Sequence, residues 1–183
     1  MANSREGYEN YRRLVYPKGA YVLHMVRQMM WDRQNVDERF KETMRDFVAT
    51  YTGKVATTED FKAMVEKHMS AEMDLQGNRK MDWFFREYVY GTALPSYSFD
   101  SSFEKAPSGD VVLKFKLTQS GVDKNFGMLV PIYLEMPNGA IVRVGSPRLI
   151  GNSNVEQTIT LTGLKDTPRR AMINYYDDVL AAN

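Results

Sequence analysis

The sequence predicts a multidomain α plus β protein, with a helical bundle over residues 1–92 and an antiparallel β-sandwich over 93–183. Three observations carry that division. Six of the seven prolines follow Tyr90, while nine of the twelve methionines precede it. Apolar residues recur at helical spacing before that point and with a partly regular period of two after it. Charge does not mark the boundary, because residues 1–92 carry 15 basic and 14 acidic groups and 93–183 carry 9 of each.

In the first part, Pro17 stands where a helix can begin, since its missing N–H would be unpaired there. Ala20, Leu23, His24, Arg27 and Met30 follow at helical spacing, which predicts a helix from Pro17 to about Trp31. DERFKETMRDFVATY places Phe40, Met44, Phe47, Val48 and Tyr51 on one stripe and ends before Gly53, a second amphipathic helix. Thr57 and Asp60 have the spacing of a capping box. Phe61, Met64, Val65, His68 and Met69 then form the apolar face of a third helix. A fourth is expected over Asp82 to Tyr90, with Gly91 as a left-handed cap and Pro95 beyond it.

After Ser96 the pattern becomes that of short strands. VVLKFKLTQ spaces Val112, Phe115 and Leu117 with lysines, and Met128–Met136, Ala140–Val144, Val155–Thr162 and Arg170–Tyr175 are similar runs separated by turn signals such as Pro137-Asn138-Gly139. Several short strands at close spacing predict a sandwich.

At 183 residues the chain can bury a core without disulfides or a structural metal. A net charge of +1 lacks the basic footprint of a nucleic-acid binder. No apolar run approaches the roughly 18 residues of a membrane span, and MANSREGYENYRR has no signal-peptide hydrophobic region, so the chain reads as soluble with its location unspecified. The absence of cysteine excludes thiolate metal sites and a cysteine nucleophile.

The two histidines, His24 and His68, are too far apart for the i, i+4 pair that binds zinc on one helix, and they read as packing or surface residues. GTALP and GSPRLIG read as turns rather than phosphate loops. Met25, Met29, Met30, Met44, Met64 and Met69 read as core filler at helical spacing, as do Trp83, Phe84 and Phe85. Tyr8, Tyr11, Tyr16 and Tyr21 make a tyrosine-rich start that spacing alone assigns to the surface.

The segment LVYPKGAYVLHM, from Leu14 to Met25, resembles the YxKG segment of the aminopeptidase N family of gluzincin zinc metallopeptidases. TTEDFKAMVEK resembles a helix start of that family. MDWFFREYVYGTALPSY resembles the exit from its catalytic domain, with Tyr88 where Trp is frequent, and AMINYYDDVLA resembles the end of the β-sandwich that follows.

The resemblance implies that residues 1–92 are the helical C-terminal part of a thermolysin-like catalytic domain. The chain would then be a C-terminal fragment of an enzyme that hydrolyses N-terminal residues from peptides. HExxH, its downstream Glu and the GxMEN segment do not occur here, so the resemblance places zinc and most of the peptide contacts in a missing upstream part, with no cofactor in this chain and no activity when it is alone. Of the family's catalytic residues, Tyr16 alone maps onto the sequence, as an oxyanion donor in the intact parent. A phenol, whose ordinary pKa is about 10, remains a proton donor at neutral pH, which suits that role.

Lys18 and Gly19 are read as structural, Gly19 for close packing and Lys18 as the partner of a carboxylate in the missing part. An exposed apolar surface around Tyr16, Tyr21 and Met25 is expected, with self-association through the helices. The alternative from another class is a non-catalytic helix-plus-sandwich scaffold or protein-interaction module.

Overall fold

The computed structural model describes residues 7–164 and 166–182. The chain divides into two compact units, residues 1–92 and 93–183. The first contains the described helices, and the described residues of the second form eight strands in three antiparallel sheets, none of them closed.

Helix α1 spans Tyr8–Met30, so it begins nine residues before Pro17, which lies inside it. A proline in mid-helix removes one i→i−4 hydrogen bond and crowds the preceding turn. The helix nonetheless continues through it, and its C-terminal turns are clamped by Met25, Val26, Met29 and Met30, all buried.

Helix α2 covers Glu38–Tyr51. Its buried residue is Thr43 rather than a member of the expected stripe, whose Val48 is 58% exposed. Thr43 is accommodated because its hydroxyl donates to the Arg39 carbonyl at 2.8 Å and lies 3.5 Å from Met30 Sδ.

Helix α3, Thr58–His68, starts with the capping box that the spacing predicts. The Thr57 hydroxyl accepts from the Asp60 N–H at 3.2 Å, and the Asp60 carboxylate accepts from the Thr57 N–H at 2.8 Å.

The segment from Met69 to Met81 has no regular structure but buries Met69, Met73, Leu75 and Met81. Asp74 Oδ1 accepts from the Asn78 and Arg79 N–H groups, and Glu66 Oε1 from the Met81 N–H. Buried polar backbone in a loop needs such partners.

The fourth helix begins as α4, Asp82–Phe84, and continues as π-helical turns over Phe85–Tyr90. Trp83, Phe84, Phe85 and Tyr88 are all buried, with Phe84 5.5 to 5.8 Å from each of the other three rings. Gly91 is not a left-handed cap: its φ is −84°. Glycine is required there by space, since a Cβ would lie 2.8 Å from the Arg86 carbonyl oxygen and closer still to that of Glu87.

In the second unit, β2 (Val111–Ser120) lies between β1 (Ser96–Lys105) and β7 (Ser153–Leu161) in unbroken antiparallel register. Val111, Leu113, Phe115, Leu117 and Gln119 face the core and Lys114 and Lys116 face solvent, so Val112 is not on the inner face. Gln119 is fully buried yet satisfied. It accepts from the Tyr97 hydroxyl and donates to the Gly151 and Phe126 carbonyls at 2.9 and 3.3 Å.

The expected strand over Met128–Met136 is divided by Pro131 into β3 (Gly127–Leu129) and β4 (Ile132–Glu135). β5 (Ile141–Gly145) and β8 (Arg170–Ile173) flank β4, and a register shift falls between Ile132 and Tyr133. GSPRLIG is more than a turn, because Arg148–Ile150 form β6 against β3. Behind β4, Tyr133 donates from its hydroxyl to Asp178 Oδ1 at 2.9 Å. Asp178 is fully buried, its Oδ2 has no hydrogen-bond partner among the described residues, and burial pushes the Tyr133 phenol up from its ordinary value.

Two predictions follow from these local bonds. Thr57→Ala should lower stability by about 1 kcal/mol in urea unfolding at unchanged m-value, the usual cost of losing a cap. The Thr57 hydroxyl and N–H, then the Tyr51 hydroxyl, hold the Asp60 carboxyl below its ordinary value of 3.8. This contribution is therefore complete above that pH and lost as pH falls through the lower folded value, so the difference between variant and wild type should shrink in acid.

Tyr133→Phe should cost about 1 to 3 kcal/mol, because it strips a buried carboxyl of its donor. The double variant Tyr133→Phe/Asp178→Leu should recover part of that loss, and a neutral single variant would show that the bond does not hold Asp178.

Candidate functional site

Tyr16 lies in α1 one residue before Pro17 and is 68% exposed. Around it on the helix surface Val15, Gly19, Ala20 and Leu23 are exposed too, Val15 at 41% and Leu23 at 36%. Positions 15, 16, 19, 20 and 23 are one face of a helix of 3.6 residues per turn, so the exposed stripe is continuous and mostly apolar. It does not extend to the other residues expected on it: Tyr21 is half-buried and Met25 is fully buried. The same helix therefore changes from a solvent-facing half around Tyr16 to an embedded half after Leu23. The side chains of Tyr8 and Tyr11 lie outside the described residues.

One contact fixes the helix near Tyr16. Lys18 Nζ, half-buried, donates to the carbonyl oxygens of Val89 and Gly91, both at 3.1 Å. Within this chain its partners are backbone carbonyls where the π-helical turns end. The last carbonyls of any helix have no intrahelical donor, and a lysine ammonium is well suited to them. Gly91 lacks the Cβ that would meet the Arg86 and Glu87 carbonyls of its own preceding turn. Gly19, by contrast, has open space where a Cβ would stand, so close packing does not explain it. The sequence held a signal for the Lys18 contact in the exposed end of the aromatic helix before Pro95, but it could not say which cation would reach it.

The histidines are engaged locally. Half-buried His24 packs edge-on against Tyr21, and His68 Nε2 is 2.9 Å from Asp46 Oδ2, which Lys67 Nζ also approaches at 2.8 Å. Among the described residues no group of three or more His, Asp or Glu side chains is placed to hold a metal ion. No helix among the described residues is long and apolar enough to cross a membrane.

A shallow trough of about 560 Å³ lies in the second unit, on the β1-β2-β7 sheet, lined by Asp100, Ser102, Lys114, Lys116, Glu156 and Thr158 among others. Of its charges, Lys116 pairs with Glu156, and Lys114 pairs with Glu104 beyond the lining. The methionines read as core filler are buried except Met44, which is half-buried.

Chemically, Tyr16 offers one phenolic donor on a solvent-facing helical surface. No protein-family model matches the chain, and no curated protein matches it significantly.

Removing the ammonium while keeping the apolar stem, as in Lys18→Met, should leave the core of the first unit folded and loosen α1 around Tyr16. Hydrogen exchange read by mass spectrometry should show faster exchange over residues 12–22, with residues 25–30 unchanged. Unchanged protection around Tyr16 would show that Lys18 does not position it.

Proposed function

We propose that this chain is the C-terminal part of an aminopeptidase N-like zinc metallopeptidase. Residues 1–92 would end its thermolysin-like catalytic domain, and residues 93–183 would form the β-sandwich after it. The reading is supported by the YxKG-like segment, and the observation that carries it is the placement of Tyr16. Its side chain is 68% exposed on a helix whose following turns are buried and whose neighbouring Lys18 is tied to backbone carbonyls. A surface tyrosine on a frayed helix could not hold a fixed hydrogen-bond direction, whereas one followed by anchored turns can.

The residues present do not fit a zinc site, so the metal and the general base are assigned to the rest of the parent. Zinc there would polarise the scissile carbonyl and activate water. Tyr16 would hydrogen-bond the peptide oxygen as it gains negative charge, an interaction stronger in the transition state than in the ground state. The apolar neighbours Val15 and Leu23 would lie against the missing part and exclude water from that bond. The same apolar stripe also favours the second reading, a non-catalytic interaction module that uses it to bind a protein partner.

In the full-length protein, Tyr16→Phe should lower kcat by about 10² to 10³ with little change in KM, as for loss of one oxyanion donor. A raised KM at constant kcat would instead assign Tyr16 to ground-state binding. The isolated chain should retain no stoichiometric zinc after dialysis. One tightly held zinc per chain, with peptidase activity that a chelator removes, would overturn the assignment of the metal to the missing part.

A further inference from the structure

Strand β7 is the edge of its sheet, paired with β2 alone. Alternate residues of an edge strand direct their N–H and C=O groups away from the sheet, and such a row is a template for another strand. Among the described residues, no backbone hydrogen bond reaches Ser153–Leu161 besides the ladder with β2.

Edges are usually protected by Pro, Lys, a bulge or repeated charges. SNVEQTITL has none of these over nine residues in unbroken register, and its one charged residue, Glu156, is already neutralised by Lys116 Nζ at 2.8 Å. The opposite edge, β1, is better defended, with Asp100, Glu104 and Lys105 in SYSFDSSFEK.

We infer that two copies of this chain pair through β7, antiparallel about a two-fold axis at Gln157, to make a continuous six-stranded sheet. The side chains of β7 complement their own copies in this register. Val155 stands opposite Ile159 on the core side, two β-branched apolar residues of the kind that stabilise cross-strand pairs. Glu156 faces Thr158 and Asn154 faces Thr160 on the outer side, so no like charges meet. At the axis Gln157, exposed in one copy, meets its twin, and an amide can both donate and accept.

The neighbouring two-fold register, centred on Glu156, would set two carboxylates face to face and is disfavoured. A net charge of +1 places little long-range repulsion between the copies. This inference does not rest on the peptidase reading.

The test uses the absence of native cysteine. Sedimentation equilibrium of the wild-type chain should show a reversible dimer. Gln157→Lys, an exposed substitution that sets like charges opposite each other, should weaken it by about fivefold or more. Leu23→Lys, on the exposed face of α1, should leave it unchanged. Gln157→Cys should be linked into covalent dimers by a short bis-maleimide, and Ser101→Cys on the β1 edge should not. A monomer at millimolar concentration, equal linking at both edges, or a dimer dissolved by Leu23→Lys but not by Gln157→Lys would each overturn the inference.

Discussion

Burying four aromatic rings in consecutive turns constrains the whole helical unit. Trp83, Phe84, Phe85 and Tyr88 point to more than one side of their helix, so the chain must surround that helix instead of packing against one stripe. Met25, Met29 and Met30 of α1, Met64 of α3 and the methionines of the segment 69–81 are also buried in this unit. Unbranched methionine adapts to irregular space around flat rings, which gives a physical reason for its concentration in this half of the chain. An enclosed helix also has ends whose backbone groups need partners. At its start Glu66 Oε1 accepts from the Met81 N–H at 3.0 Å, and at its end Lys18 meets the Val89 and Gly91 carbonyls. The position of α1 near Tyr16 is thereby linked to the burial of rings some seventy residues later.

The second unit meets the same requirement with one strand. β2 buries every second side chain, and at the end of that row it carries Gln119, a polar residue with three hydrogen bonds in a place where an apolar residue would fit. Its two carbonyl acceptors belong to Phe126 and Gly151, which flank β3 and β6. The buried amide therefore ties the three-stranded sheet to the β3-β6 pair, and a satisfied buried amide favours one arrangement over shifted ones. Gly151 is needed for this geometry: it has φ +63°, and a Cβ there would come 2.9 Å from the Lys124 carbonyl oxygen.

What could be read from the sequence was what depends on neighbours in the chain. The capping box at Thr57 and Asp60, the turn at Gly139 and the alternation along β2 are decided within a few residues. Several misreadings come from contacts between distant segments, whereas Gly91 was misjudged for a local reason, its closeness to the Arg86 and Glu87 carbonyls. Pro17 looked like a helix start because local rules place proline there, yet the helix runs through it, and its buried turns begin only at Met25. Val112 looked inward-facing from its apolar character, but the register with β1 and β7 puts its odd-numbered neighbours in the core. β6 is only three residues long, and its pairing with β3 is what makes it a strand. Met25 was expected on the open face and lies in the core because α1 changes environment partway along. Lys18 could be singled out from its motif, but its acceptors are more than seventy residues away.

The contrast within α1 bears most directly on function. A helix that only completed a core would bury one stripe along its length, and one that only decorated a surface would have no anchored lysine in its exposed half. Here the turns from Met25 to Met30 are buried, the turns around Tyr16 are open, and Lys18 stands between them with its ammonium on backbone carbonyls. The exposed half is thus held in position without being covered, which is the condition for presenting a side chain to something outside this chain. Among the residues so presented, Val15, Ala20 and Leu23 can contribute only contact area, and Gly19 contributes none. Of these five residues, Tyr16 is the one whose side chain can donate a proton.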